Sequence, residues 1–400
     1  MRWWIAFLLI GQNFLLGLQP QQEVALLNVQ ADYQFNQTIN ITGTLNSPQK
    51  VVTAGIVLQY EDGQSYQQQI PLPTDSIFSL TLVPQQVNAI PFSRIYYWFV
   101  FAFEDGSSFT SSSYWFDYLD NQFEWHSTSS KWFEVYWSTQ DTNFGEKIQS
   151  IALDGLKSAT SLLPISPLLP IKIYVYPDTE SLQNAVGRNS NESLSGTALL
   201  VSNTILVSTS TDLTNTANLE RQLPHEITHL LEYQLSQSNY TAVPAWLLEG
   251  IATLSENYKD ADQSRILKQA LDDNALIKMD QLCGSFPSEP GQLTLAYAES
   301  ASFTQFLIQK YGLDKVTSLL TSSGNSLSCQ QLVKNTFSRE LNDLDYDWQN
   351  ESLLQAQPRS NWLEYWPLLL LLLVLAVPLV LIRNHKRSSH RPGEDNVRIK

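Results

Sequence analysis

Four hundred residues exceed what one compact core usually needs, and 43% hydrophobic with 11% aromatic residues excludes a generally disordered chain. A net charge of −15 argues against nucleic acid as a partner. That charge is divided, because residues 383–400 carry six basic and two acidic side chains, net +4, and leave −19 on the rest.

From the N-terminus, Met1 and Arg2 lead into an apolar stretch, 3–18, broken by Gln12 and Asn13. This reads as a secretory signal over 1–22, either cleaved or kept as an anchor. Between 23 and 124 the pattern is β, with alternating runs at 24–29, 33–45, 51–60, 65–72, 77–83, 94–103 and 109–118. Asp62-Gly63 and Asp105-Gly106 are hairpin-turn signals between neighbouring runs. Some seven strands in ~100 residues predict an immunoglobulin-like β-sandwich, without the Cys…Trp…Cys core of antibody domains. After 125 the expectation is a strand at 132–137, a helix at 143–163, a strand at 170–176, a short helix at 179–186 and a strand at 198–207. From 213 to about 346 the pattern is almost wholly helical, which makes the order α+β: strands first, then a mixed sheet with a helical subdomain over 125–350.

A polar link, 351–364, leads to residues 365–382, which contain no charge and are mostly Leu and Val. At ~1.5 Å per residue this run reaches ~27 Å, close to the ~30 Å hydrocarbon core, so one C-terminal transmembrane helix is expected. Trp362, Tyr365 and Trp366 would sit at its interface, and Arg383, Lys386, Arg387 and Arg391 would hold the basic tail, 383–400, in the cytoplasm. The expected location is the plasma membrane, single-pass, with the body of the chain extracytoplasmic. Cys283 and Cys329 are the two cysteines; they form either one disulfide or two buried thiols, since sequence does not give their separation.

The segment His225-Glu226-Ile227-Thr228-His229 is an HExxH motif. On a helix, positions i and i+4 share a face about 5–6 Å apart, so both imidazoles can bind one Zn²⁺, with the intervening Glu placed to act on water. Chance would produce the motif about 0.003 times in a chain of this composition, which sets coincidence aside. Leu223, Ile227, Leu230 and Leu231 give the helix a buried side, and Pro224 either lies in its first turn or kinks a longer helix starting near 214. A zinc site needs a third ligand. The HExxHxxGxxH pattern fails, because Glu232 stands where Gly is needed and Leu235 where His is. The next candidate is Glu249, on a second helix starting after Pro244.

HExxH followed about twenty residues later by the Glu of Trp246-Leu247-Leu248-Glu249-Gly250-Ile251-Ala252 resembles the gluzincins. With Ala296-Tyr297-Ala298-Glu299-Ser300 and Lys310-Tyr311-Gly312, it looks most like the peptidase MA-like group, over roughly 128–345. The resemblance implies a gluzincin-like catalytic domain in which His225, His229 and Glu249 hold one Zn²⁺, Glu226 is the general base toward a zinc-activated water, and Tyr297 stabilises the oxyanion. Tyr258 and Tyr233 compete for that last role. In thermolysin-like relatives an Asp four residues after the third ligand supports the first His; here Thr253 occupies that place, with Thr253 or Glu256 as substitutes. The strand at 198–207 is the expected edge for an extended peptide. The implied function is a membrane-anchored extracytoplasmic zinc peptidase acting on peptide or protein substrates, and the −19 charge hints at basic ones. The rival is a catalytically silent zinc-binding adhesion or scaffold ectodomain.

Overall fold

In the computed structural model, which describes residues 24–354 apart from 74, 140–141, 188–195, 210–212, 214–215, 259–261 and 325–326, the first eight strands form two facing sheets. They are β1 (Ala25–Gln34), β2 (Thr38–Asn46), β3 (Val51–Gln59), β4 (Ser65–Gln69), β5 (Ile77–Leu82), β6 (Ser93–Phe103), β7 (Ser108–Thr110) and β8 (Tyr114–Tyr118). One sheet runs β1-β2-β5 and the other β4-β3-β6-β7, with β8 also on β6. Alternation drives this packing: Ile39 and Ile41 on β2, Phe78, Leu80 and Leu82 on β5, and every second residue of β6 from Ile95 to Phe103 are buried in one core. The rings of Phe78 and Phe99 meet there, 4.8 Å apart between centroids. The runs at 24–29 and 33–45 divide differently from the sequence expectation. The chain turns at 35–37, where Asn36 adopts a left-handed φ of 58°. The run at 109–118 is two strands, β7 and β8, pairing with different parts of β6.

A third sheet follows, interleaved with helices: β9 (His126–Ser129), β10 (Phe133–Trp137), α1 (Thr142–Leu162), β11 (Ile171–Tyr176), α2 (Thr179–Ala185), β12 (Gly196–Leu199) and β13 (Thr204–Ser208). Its order is β12-β13-β11-β10-β9, with β10, β11 and β13 parallel and both edge strands antiparallel. The two faces of β11 explain its nearly continuous apolar run. Ile171, Ile173 and Val175 face the helices, whereas Tyr174 and Tyr176 join the sandwich core. There Phe92 lies 4.5 Å from Tyr174 and Trp125 lies 5.1 Å from it, centroid to centroid. The Tyr176 hydroxyl donates to Asp120 Oδ2 at 2.9 Å and the Trp125 indole N–H to the Asp120 carbonyl at 2.7 Å, so these two polar tips are satisfied.

The single strand expected at 198–207 is instead the hairpin β12–β13, turning at 200–203 with Asn203 at φ 50°. The reason is local: an apolar run cannot by itself reveal a reversal, and the turn residues Val201-Ser202-Asn203 carry no Gly or Pro. Strand β9, polar throughout, gave no periodic signal at all.

The helical part comprises α3 (Ala217–Ser236), α4 (Ala245–Ser255), α5 (Asp262–Asp272), α6 (Pro290–Tyr311), α7 (Leu313–Ser322), α8 (Cys329–Phe337) and α9 (Leu341–Trp348). The chain is thus α+β. The expected transmembrane helix, and with it the plasma-membrane, single-pass location, must be corrected: among the described residues no helix is long and apolar enough to cross a membrane. Residues 365–382 lie outside the described residues, as do 1–22 and the basic tail.

Two packing details place the site. Pro224 lies inside α3, not in its first turn, so the Glu220 carbonyl loses its helical donor. It accepts instead from Asn257 N at 3.0 Å, which ties the chain leaving α4 to α3. Gly250 lets α4 press against α6, since a Cβ there would meet Thr304 Oγ1 and stand 2.6 Å from the Ser300 carbonyl. The first N–H groups of α4, at Ala245 and Trp246, donate to the carbonyls of Cys283 and Leu282 at 3.0 Å each. Cys283 is disulfide-bonded to Cys329 with Cα atoms 6.0 Å apart, which resolves the two alternatives left open by the sequence.

Candidate metal centre

The motif helix α3 presents His225 and His229 on one face, their rings 4.8 Å apart and nearly perpendicular. Helix α4 follows after a short 3₁₀ turn, packs against α3 and brings Glu249 between them. Glu249 Oε2 stands 3.3 Å from His225 Nε2 and 3.5 Å from His229 Nε2. Ligands at ~2.0–2.1 Å from a tetrahedral ion are ~3.3–3.4 Å apart, so this spacing suits zinc. The oxygen is buried and has no aligned hydrogen-bond donor, an expensive arrangement unless a cation meets it. The three donor atoms lie within 4.8 Å of one another, and this group can hold a metal ion.

The other imidazole nitrogens face carboxylates. Glu256 Oε1 lies 3.1 Å from His225 Nδ1, and Glu232 Oε2 lies 2.9 Å from His229 Nδ1. An acceptor opposite each Nδ1 favours a proton there and leaves each Nε2 facing Glu249. Glu256, one of the two substitutes for the Asp that supports the first His in thermolysin-like relatives, is in contact with His225. Sequence reasoning missed Glu232, although its place three residues after His229 puts it on the same helical face. It also missed Tyr240, whose hydroxyl is 3.5 Å from His229 Nδ1, because the irregular segment carrying it has no periodic signal.

The electrostatics follow from many carboxylates in a dry place. Burial opposes charge on His225, but its contacts with Glu249 and Glu256 win and push it up to about 9. His229 is likewise raised, against burial, chiefly by Glu249. Glu249 is held well below the carboxylate range despite burial, by the charges of the two histidines. Burial pushes Glu232 up to about 7 against its bond to His229. Glu226 is raised by burial as well, against the pull of the two histidines and a hydrogen bond from the Ala198 backbone.

A cleft of about 270 Å³ opens over these groups, lined by His225, Glu226, His229, Glu249, Tyr240 and Tyr297 and by residues 196–198 of β12. Tyr297 sits 6.1 Å from His225 between ring centroids, and burial raises its phenol so that it stays protonated at neutral pH. The competitors fall away from the cleft. Tyr258 is exposed, and Tyr233 packs edge-to-face on Tyr240 without lining the cavity.

The sequence model of the peptidase MA superfamily matches residues 151–354, and the chain belongs to that superfamily. No curated protein matches it. Solved structures match locally. Catalytically inactive OgpA from Akkermansia muciniphila, in complex with an O-glycopeptide (glycodrosocin) substrate, is 16% identical at a TM-score of 0.20 over 25% of this chain and 30% of its own. A structure described as a myokine is 16% identical at 0.20, over 24% and 96%. A β-1,3-glucan binding domain of carbohydrate-binding module family 56 is 15% identical at 0.17, over 23% and 98%. This chain therefore spans less than a third of the OgpA structure, and at these scores no functional argument rests on the likenesses.

Proposed function

We propose that the protein is a zinc-dependent peptidase that hydrolyses peptide bonds in peptide or protein substrates. The observation that supports this most is the convergence of three donors, His225, His229 and Glu249, with a second carboxylate, Glu226, beside them in an open cleft. These three residues would hold one ion, which supplies Lewis acidity to water and to a carbonyl. Glu226 takes the proton from the attacking water onto its carboxylate and delivers it to the leaving amine nitrogen. Its burial-raised affinity for a proton suits both halves of that transfer. Tyr297, still protonated, donates its hydroxyl to the carbonyl oxygen as negative charge builds there. Glu256 and Glu232 orient the two histidines. The free edge of β12 offers backbone groups to an extended substrate, which passes in front of Glu226.

The test is Glu226→Gln, with zinc content and peptide cleavage both measured. Zinc should stay at one equivalent while hydrolysis falls at least about 10²- to 10⁴-fold, the usual contribution of a general base. Activity equal in both proteins, or absent from both, would instead favour a zinc-stabilised scaffold.

A further inference from the structure

Beside the metal centre lies a second cavity of about 460 Å³, walled by the segment between α5 and α6 and by the start of α6. Its apolar surface comes from Leu276, Ile277, Leu282, Phe286, Pro287 and Leu295; its polar groups are the uncharged Gln281, Ser285 and Gln292. It adjoins the first cleft through one edge-to-face ring pair. The Phe286 ring, on this cavity's wall, lies 5.2 Å from the Tyr297 ring, which lies 6.1 Å from that of His225. Two such steps correspond to about three residues of extended chain at ~3.3–3.6 Å each.

The wall is held rigidly by groups that the metal chemistry does not use. Glu299, fully buried on α6, accepts from Ile277 N at 3.0 Å, and Asp345, buried on α9, accepts from Met279 N at 3.2 Å. The disulfide anchors Cys283, and the α4 N-terminus bonds Leu282 and Cys283. Four independent ties on one short segment keep a cavity open that hydrophobic collapse would otherwise close.

We propose that this cavity is a specificity subsite that takes a large uncharged, apolar side chain of the substrate within about three residues of the scissile bond. The proposal rests on the peptidase reading and deepens it. Among the described residues no charged side chain lines the cavity, so a substrate Lys, Asp or Glu would be desolvated there without a partner.

The test uses the full chain loaded with zinc and a peptide library varied at three positions on each side of the cleaved bond. Leu, Phe or Met should be preferred over Ala at one of those positions by at least about tenfold in kcat/KM, with Lys and Glu selected against. Ser285→Asp places a charge on the exposed rim and should shift that same position toward Lys. Phe286→Ala should flatten the preference there. An identical preference profile in all three proteins, with cleavage intact, overturns the subsite and leaves the peptidase. No cleavage of any peptide by zinc-loaded wild type overturns both.

Discussion

Glu299 is the place where burial and charge conflict most openly, and replacing it by Gln isolates the conflict. The wild-type carboxyl has no exposed surface; one oxygen accepts the Ile277 N–H and the other has no partner. Burial, against that hydrogen bond and with help from nearby Asp345, pushes its pKa from the usual 4.5 up to about 8. The folded chain therefore keeps a proton that the unfolded chain releases above 4.5, so stability falls as pH rises from 4.5 to about 8. At ~1.4 kcal/mol per unit, this single group removes ~3 kcal/mol by pH 7 and ~4 kcal/mol between pH 5 and 8. Gln keeps the acceptor for Ile277 and cannot ionise. Its buried amide N–H groups cost about 1–3 kcal/mol, but equally at every pH. Urea unfolding followed by circular dichroism at pH 5, 6, 7 and 8 should show the variant gaining on wild type by ~1.4 kcal/mol per unit. Histidines and other carboxylates titrate in both proteins and cancel in the difference. A constant difference across the series would refute the claim that Glu299 holds a proton in the folded state.

Two further outcomes follow from the same geometry. Glu232→Gln and Glu256→Gln should each weaken zinc binding about 10- to 100-fold in competition with a chromophoric chelator, because each removes a carboxylate that orients a ligand histidine. Affinities equal to wild type would show that neither carboxylate positions its ring. The double variant Cys283→Ser, Cys329→Ser opens a link spanning 46 residues, for which chain entropy gives a loss of ~4 kcal/mol. Its zinc affinity should fall too, since the Cys283 and Leu282 carbonyls hold the start of the helix bearing Glu249. An unchanged urea midpoint would remove the disulfide from any account of this fold's stability.

Much of the candidate metal centre could be read from the sequence, because its key relation is local. Four residues of helix rotate a side chain back to nearly the same face, so His225 and His229 converge in any structure that keeps α3 helical. Glu249 was legible for a weaker reason: a short link forces α4 to return along α3, which limits where its side chains can reach. Its apolar neighbours fit that placement, since Trp246, Leu247 and Ile251 are all buried. The long alternating strands and the helix α1 were legible on the same principle, with Ile148, Ala152, Leu156 and Ala159 on one buried stripe. The membrane-spanning expectation rested on the uncharged run at 365–382 with its aromatic and basic flanks, which lies outside the described residues, and the described helices contain no such element.

What remained hidden depends on partners far apart in the chain. Whether 198–207 is one strand or a hairpin is decided by β11, which pairs with β13 and leaves β12 as the edge beside Glu226. Glu256 reaches His225 because the Glu220 carbonyl, freed by Pro224, captures Asn257 at the end of α4. The cavity next to the metal centre exists because α6 and α9 each offer a buried carboxylate to the same loop. Periodicity along a chain reports which face of one element is apolar. It carries no information about which other element meets that face, and the hydrogen bonds and packing that answer this question form only when both are in place.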